Sequence, residues 1–131
     1  MAELDYAFIA DFAKVEPNGT LTVNSASWTS LRTPVLPVAR RLAIAGRIRA
    51  HVDESPVALQ IVFSAPDQAF NIGTEALLSP GPDARPYGDG KIGHLFALDW
   101  QVLLPSVGLY TINITINGEH ARRLAFDVES A

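Results

Sequence analysis

Apolar residues in this chain recur at every second position through one segment after another, the pattern of half-buried β-strands rather than of helices. The longest run is Ile92, His94, Phe96, Leu98, Trp100 and Val102, all on one parity. Leu4, Tyr6, Phe8, Ala10 and Phe12 repeat the pattern, as do Leu42, Ile44, Gly46 and Ile48, and Val57, Leu59, Ile61, Phe63 and Ala65. Tyr110, Ile112, Ile114 and Ile116 form a further run, and Leu124, Phe126 and Val128 another. β-Branched residues crowd these runs, which further disfavours helix.

Turn chemistry separates the runs. Pro17-Asn18-Gly19 predicts a hairpin between the first two strands, and Asn117-Gly118 predicts a C-terminal hairpin, because a type I′ turn needs positive φ at both central residues. Asp53-Glu54-Ser55-Pro56 ends the Leu42 strand and leads into the Val57 strand, which reads as a second hairpin. Residues 29–38 hold Pro34 and Pro37 and have no stable period, so an irregular crossing between sheets is expected there. Phe70 and Ile72 suggest a short strand, residues 74–78 leave room for a helical turn, and the Pro- and Gly-rich residues 79–90 read as a long loop.

Seven to nine short strands with regular turn signals predict one all-β domain over residues 1–131, an antiparallel two-sheet β-sandwich. Gly108-Leu109-Tyr110, just past Pro105, resembles the tyrosine corner of immunoglobulin-like sandwiches. With 48% apolar and 18% charged residues, a chain of 131 can bury a core without disulfides or metal. There is no cysteine, which removes disulfides, thiolate metal sites and cysteine nucleophiles, and agrees with a reducing compartment. No segment reaches the ~18 apolar residues of a membrane helix, and the acidic opening lacks a signal-peptide pattern, so cytoplasmic residence is expected. A net charge of −4 argues against nucleic acid as a partner.

Several stretches together resemble a family of small bacterial proteins of unassigned function. They are Leu4-Asp-Tyr-Ala-Phe-Ile-Ala-Asp11, Leu21-Thr-Val-Asn24 leading to Trp28, Leu104-Pro105, Gly108-Leu-Tyr110, Asn117-Gly-Glu119 and Leu124-Ala-Phe-Asp-Val128. The resemblance runs along nearly the whole chain and implies a stand-alone cytoplasmic β domain. It supplies no catalytic or ligand-binding residue.

The motifs of chemistry are absent. No Gly-x-Ser-x-Gly elbow or phosphate-binding glycine loop occurs, and His51, His94 and His120 stand at no metal-ligand spacing. His51 with Asp53 and Glu54 is a weak cation or proton-transfer set, and His94 reads as a partly buried, hydrogen-bonded histidine. Asp67, Asp83 and Asp89 are loop carboxylates of the kind that sometimes hold calcium, but without a repeated spacing they read as solvated turns. No enzyme, cofactor or metal is therefore expected.

The arginines are more suggestive. Arg40, Arg41, Arg47 and Arg49 cluster on one strand, with Arg122 and Arg123 on the last hairpin. Guanidinium forks suit carboxylates, phosphates and partner interfaces, although charge that guards an edge strand is the plainer reading. Trp28, Tyr87 and Arg85 stand in the connections as candidate anchors beside Arg47 and Arg49. These features predict a non-enzymatic module that assembles with itself or another protein. A carbohydrate or small-ligand domain is the alternative, and an enzyme of unrecognised type ranks below both.

Overall fold

The computed structural model describes residues 1–82 and 84–131, and it is all-β. The strands are β1 Glu3–Val15, β2 Leu21–Ala26, β3 Ser30–Thr33, β4 Val38–His51, β5 Val57–Ser64, β6 Asn71–Leu78, β7 Lys91–Leu104, β8 Gly108–Ile116 and β9 Glu119–Ser130. They form a four-stranded sheet, β2-β1-β4-β7, and a five-stranded sheet, β3-β9-β8-β5-β6. Among the described residues no helix is long and apolar enough to cross a membrane.

The two sheets share one core. Ile9, Leu42, Ile44, Ile48 and Phe96 from the first sheet are buried with Leu59, Ile61, Phe63, Tyr110, Ile112 and Phe126 from the second. Phe63 lies at its aromatic centre, 5.8 Å from Tyr110, 6.2 Å from Phe126 and, across the sheets, 6.4 Å from Trp100 between ring centroids. Such stacked and edge contacts add to the large apolar area these rings bury. The Tyr110 hydroxyl donates to the Ser106 carbonyl at 2.7 Å, fixing the turn before β8.

Both predicted terminal hairpins form. β1 pairs with β2, and β8 pairs with β9 through a turn in which Asn117 has φ 50° and Gly118 φ 82°. The Asn117 side chain also accepts from the Ala58 backbone N–H at 2.9 Å, tying that turn to the start of β5.

Four expectations are corrected. β4 and β5 are not a hairpin: the 52–56 connection passes from one sheet to the other, and β5 pairs with β6 and β8. Alternation fixes which face of a strand is buried, not which strand becomes its neighbour. Residues 74–78 are strand, because ladder pairing with β5 along all of β6 outweighs the local helical preference of Glu75, Ala76 and Leu77. The 29–38 crossing contains β3, which pairs with β9 in parallel, so the pairing is not wholly antiparallel.

The fourth correction concerns β4, which is not a sheet edge and whose second face is covered along its middle. It pairs with β1 on one side and along its whole length with β7 on the other. Ala43 and Ala45 point away from the shared core yet are fully buried, in a second cluster with Ala13 against Phe8, Leu21, Val23 and Ala97. β1 pairs with β4 only as far as Ala10 and then with β2 alone. The β1–β2 arm thus leaves its sheet and folds back across it. Alanines at 43, 45 and 97 let the arm approach closely.

Candidate functional site

The arm's departure leaves the start of β1 flat against β4, and there the register shifts. Leu4 pairs with Ile48 and Tyr6 with Arg47, so Asp5 is an extra residue in the ladder. A bulge of this kind sets two residues opposite one and re-aims their side chains. Both reach Arg47: its Nε donates to Asp5 Oδ2 at 2.8 Å, and its guanidinium lies 5.1 Å from the Tyr6 ring centroid. The bond to Asp5 holds the Arg47 pKa above its ordinary value.

Tyr87 arrives from the opposite side. Gly88, Asp89 and Gly90 all have positive φ, which turns the chain sharply enough for Tyr87 to bridge Lys91. Its ring centroid is then 5.3 Å from the Arg47 guanidinium and 5.0 Å from that of Arg49. Arg49 Nη2 donates to the carbonyls of Gly88 at 3.0 Å and Tyr87 at 3.3 Å. Glu3 accepts from Lys91 at 3.0 Å and lies 3.6 Å from Arg49.

Two strand glycines make room. A Cβ on Gly93 would lie 3.0 Å from Arg47 Cδ and 3.1 Å from the Tyr87 hydroxyl. On Gly46 it would collide with the Tyr6 carbonyl oxygen at the bulge and lie 2.9 Å from the Phe96 ring.

Of the residues singled out from sequence, Arg47, Arg49 and Tyr87 therefore come together. Arg85 is exposed in the 79–90 connection. Trp28 lies in the connection between β2 and β3, half-buried against Phe126 with Arg40 stacked on its ring at 5.2 Å, and Arg40 is seven residues back from Arg47 along β4, about 23 Å at strand rise. Arg122 and Arg123 belong to the other sheet. The residues that sequence reasoning missed are Glu3, Asp5, Tyr6, Lys91 and the two glycines. Glycine inside an otherwise regular strand was their one available signal, since it marks close backbone approach.

The expected open basic face is in fact neutralised. Arg40 pairs with Asp11 at 2.7 Å, and Arg41 makes a two-pronged contact with Asp99, its Nε donating to Oδ1 at 2.8 Å. That contact lowers the Asp99 pKa. Partly exposed pairs of this kind contribute little stability singly, whereas a guanidinium between two rings and a carboxylate is fixed in place. The cluster is suited to holding the 79–90 connection against the sheet.

Neither titratable set gathers into a centre. The His51 backbone N–H donates to Glu54 at 2.9 Å, closing a turn. The His120 ring lies 3.1 Å from the Asn113 side-chain oxygen. His94 is 4% exposed, burial lowers its pKa, and no hydrogen-bond partner of its Nε2 is found among the described residues. Asp67 follows β5 and Asp89 precedes β7, at opposite ends of the molecule, and Asp83 lies outside the described residues. Among the described residues no three His, Asp or Glu side chains come close enough to hold a metal.

Beside the cluster runs a groove of about 590 Å³. The arm tip at Val15–Gly19 forms one wall, Leu77, Leu78, Pro80, Pro82 and Ala84 form another, and Gly93, His94 and Leu95 of β7 line it too.

A family described as "Family of unknown function (DUF6941)" matches residues 5–129. No curated protein matches the chain. Among solved structures, an alkylpurine DNA glycosylase AlkC of Pseudomonas fluorescens, bound to DNA containing an abasic site analog, aligns at TM-score 0.45 and 9% identity. That alignment covers 94% of this chain and 30% of the glycosylase, so the chain spans under a third of that protein's length.

Proposed function

The chain belongs to the DUF6941 family, which carries no assigned activity, and from that premise we propose that it is a non-enzymatic protein-interaction or assembly module. In this reading it is an immunoglobulin-like β-sandwich that accepts an extended strand along the open side of β7. One observation carries the reading: β7 is fourteen residues long and pairs with β4 along all of it, but among the described residues no strand lies on its other side. An unpaired edge is a row of backbone donors and acceptors ready for another chain.

β7 contains no proline and no bulge, the usual guards, and Asp99 is its one charge after Lys91. β6, the edge of the second sheet, is open in the same way and joins β7 through the 79–90 connection, so the two edges share a side. The shared core and the Tyr110–Ser106 hydrogen bond support the immunoglobulin-like sandwich. The net charge of −4 and the paired arginines of β4 disfavour nucleic acid. The lack of cysteine is in keeping with a bacterial cytoplasmic setting. Carbohydrate binding draws less support, because Tyr87 is engaged by two guanidiniums and Trp28 by Arg40 and Phe126.

The test combines light scattering over a concentration series, capture from native lysate, and amide hydrogen exchange of whatever assembly is isolated. Protection gained along β7 supports the proposal. Protection gained only elsewhere, or a monomer that retains no partner, refutes it.

A further inference from the structure

We infer that residues 84–90 are a displaceable cover over the first part of the β7 edge, latched by Tyr87, whose place an incoming strand takes. The inference rests on the reading of β7 as the docking edge.

The antiparallel bridge between Tyr87 and Lys91 sets the preceding chain on the side of β7 that β4 does not occupy. Its backbone contact is the Tyr87 N–H to the Lys91 carbonyl, at 2.7 Å. No further bridge to β7 precedes it among the described residues. Pro80, Pro82 and Ala84 flank Gly93–Leu95 across the groove. Covering an edge with a loop is a recognised means of blocking unwanted pairing.

Side chains hold the cover down. Tyr87 lies against Arg47 and Arg49, and Arg49 grips the Tyr87 and Gly88 carbonyls. Arg47 is itself fixed by Asp5 and Tyr6, so the bulge in β1 sets where the latch closes. These contacts are partly exposed, with Tyr87 at 40%, and they secure a short stretch outside both sheets. Such a segment opens at a cost well below that of global unfolding. Past Leu95 the edge has no such cover among the described residues.

The experiment uses the full chain with Arg49→Ala and Tyr87→Ala, and with Arg41→Ala as a control on the same sheet. Amide exchange at Tyr87 and Lys91 in the Arg49→Ala protein reads the latch. Fluorescence anisotropy with a labelled synthetic peptide of residues 38–51, the sequence that already pairs with β7 on its other side, reads access to the edge. The expected result is at least tenfold faster exchange at those two amides, unchanged exchange at Ile112 and Ile114, and at least fivefold tighter peptide binding by both variants. Arg41→Ala should behave as wild type. Unchanged exchange at Tyr87 and Lys91 overturns the cover, and so does acceleration spread equally into β8. Faster exchange with equal peptide affinity overturns the competition between cover and strand. Faster exchange with no peptide binding by any protein overturns the docking edge and leaves the latch standing.

Discussion

Replacing Gly46 by alanine tests the packing on which the site depends. Gly46 is interior to β4, paired with Ala7 on one side and Phe96 on the other. A methyl group there would meet the Tyr6 carbonyl, the Phe96 ring at 2.9 Å and Ala7 Cα at 3.0 Å. Two of those three are backbone, and neither neighbouring strand can retreat without loosening its ladder. Overpacking of a core costs about 1–3 kcal/mol when side chains can adjust, so a backbone collision falls at the upper end, about 3 kcal/mol. The smaller entropy of the unfolded alanine chain offsets ~0.4–1 kcal/mol of any such cost. At about 2.1 cal/mol/K per residue, the remaining net loss of ~2.3 kcal/mol over 131 residues lowers Tm by roughly 8 °C. Gly73→Ala is the matched control, since its added carbon meets only Val62 Cγ2 at 3.9 Å; it should change stability by less than about 1 kcal/mol. Thermal melting followed at the β-sheet circular-dichroism band reads both. A Gly46→Ala melting temperature within 3 °C of wild type, given the ~8 °C expectation, would show that β1 does not press on β4 as described.

Tyr110→Phe leaves the Ser106 carbonyl without its donor, and urea titration should show a loss of about 1–2 kcal/mol. Gly118→Ala meets no neighbouring atom but must hold φ 82°, so its cost is conformational alone, about 1–2 kcal/mol by the same measurement. Burial lowers the His94 pKa, so as pH falls the unfolded chain takes up this proton before the folded one. The stability this histidine contributes is present above its unfolded pKa of about 6.5 and is lost below it, at a slope of up to about 1.4 kcal/mol per pH unit. His94→Leu should flatten that part of the urea midpoint between pH 7 and 5, and an unchanged profile would contradict the assignment.

Strand positions were legible because alternation is a local signal: Ile92 through Val102 and Tyr110 through Ile116 lie in strands as read. The Asn117-Gly118 turn was legible for the same reason, its chemistry being contained in two residues. Partnership was not. Nothing between Asp53 and Pro56 says whether the chain turns back within a sheet or crosses to the other, and Ser30–Thr33 has too few residues to show a period. Arg47, Arg49 and Tyr87 were picked out for their chemistry, but their carboxylate partners lie on β1, more than forty residues away for the Arg47–Asp5 pair. That partnership follows from sheet order and one bulge, neither of which leaves a mark on sequence period.

The β1–β2 arm has a consequence for how this molecule can be approached. By lying across Ala43, Ala45 and Ala97 it gives part of the four-stranded sheet a third layer, so a visitor cannot settle flat there. It also ties those three positions to Ala13, Leu21 and Val23: enlarging any alanine lifts the arm, and shortening the arm bares a greasy floor. With that roof in place, backbone still free to bond lies chiefly along the flank where β6 and β7 end.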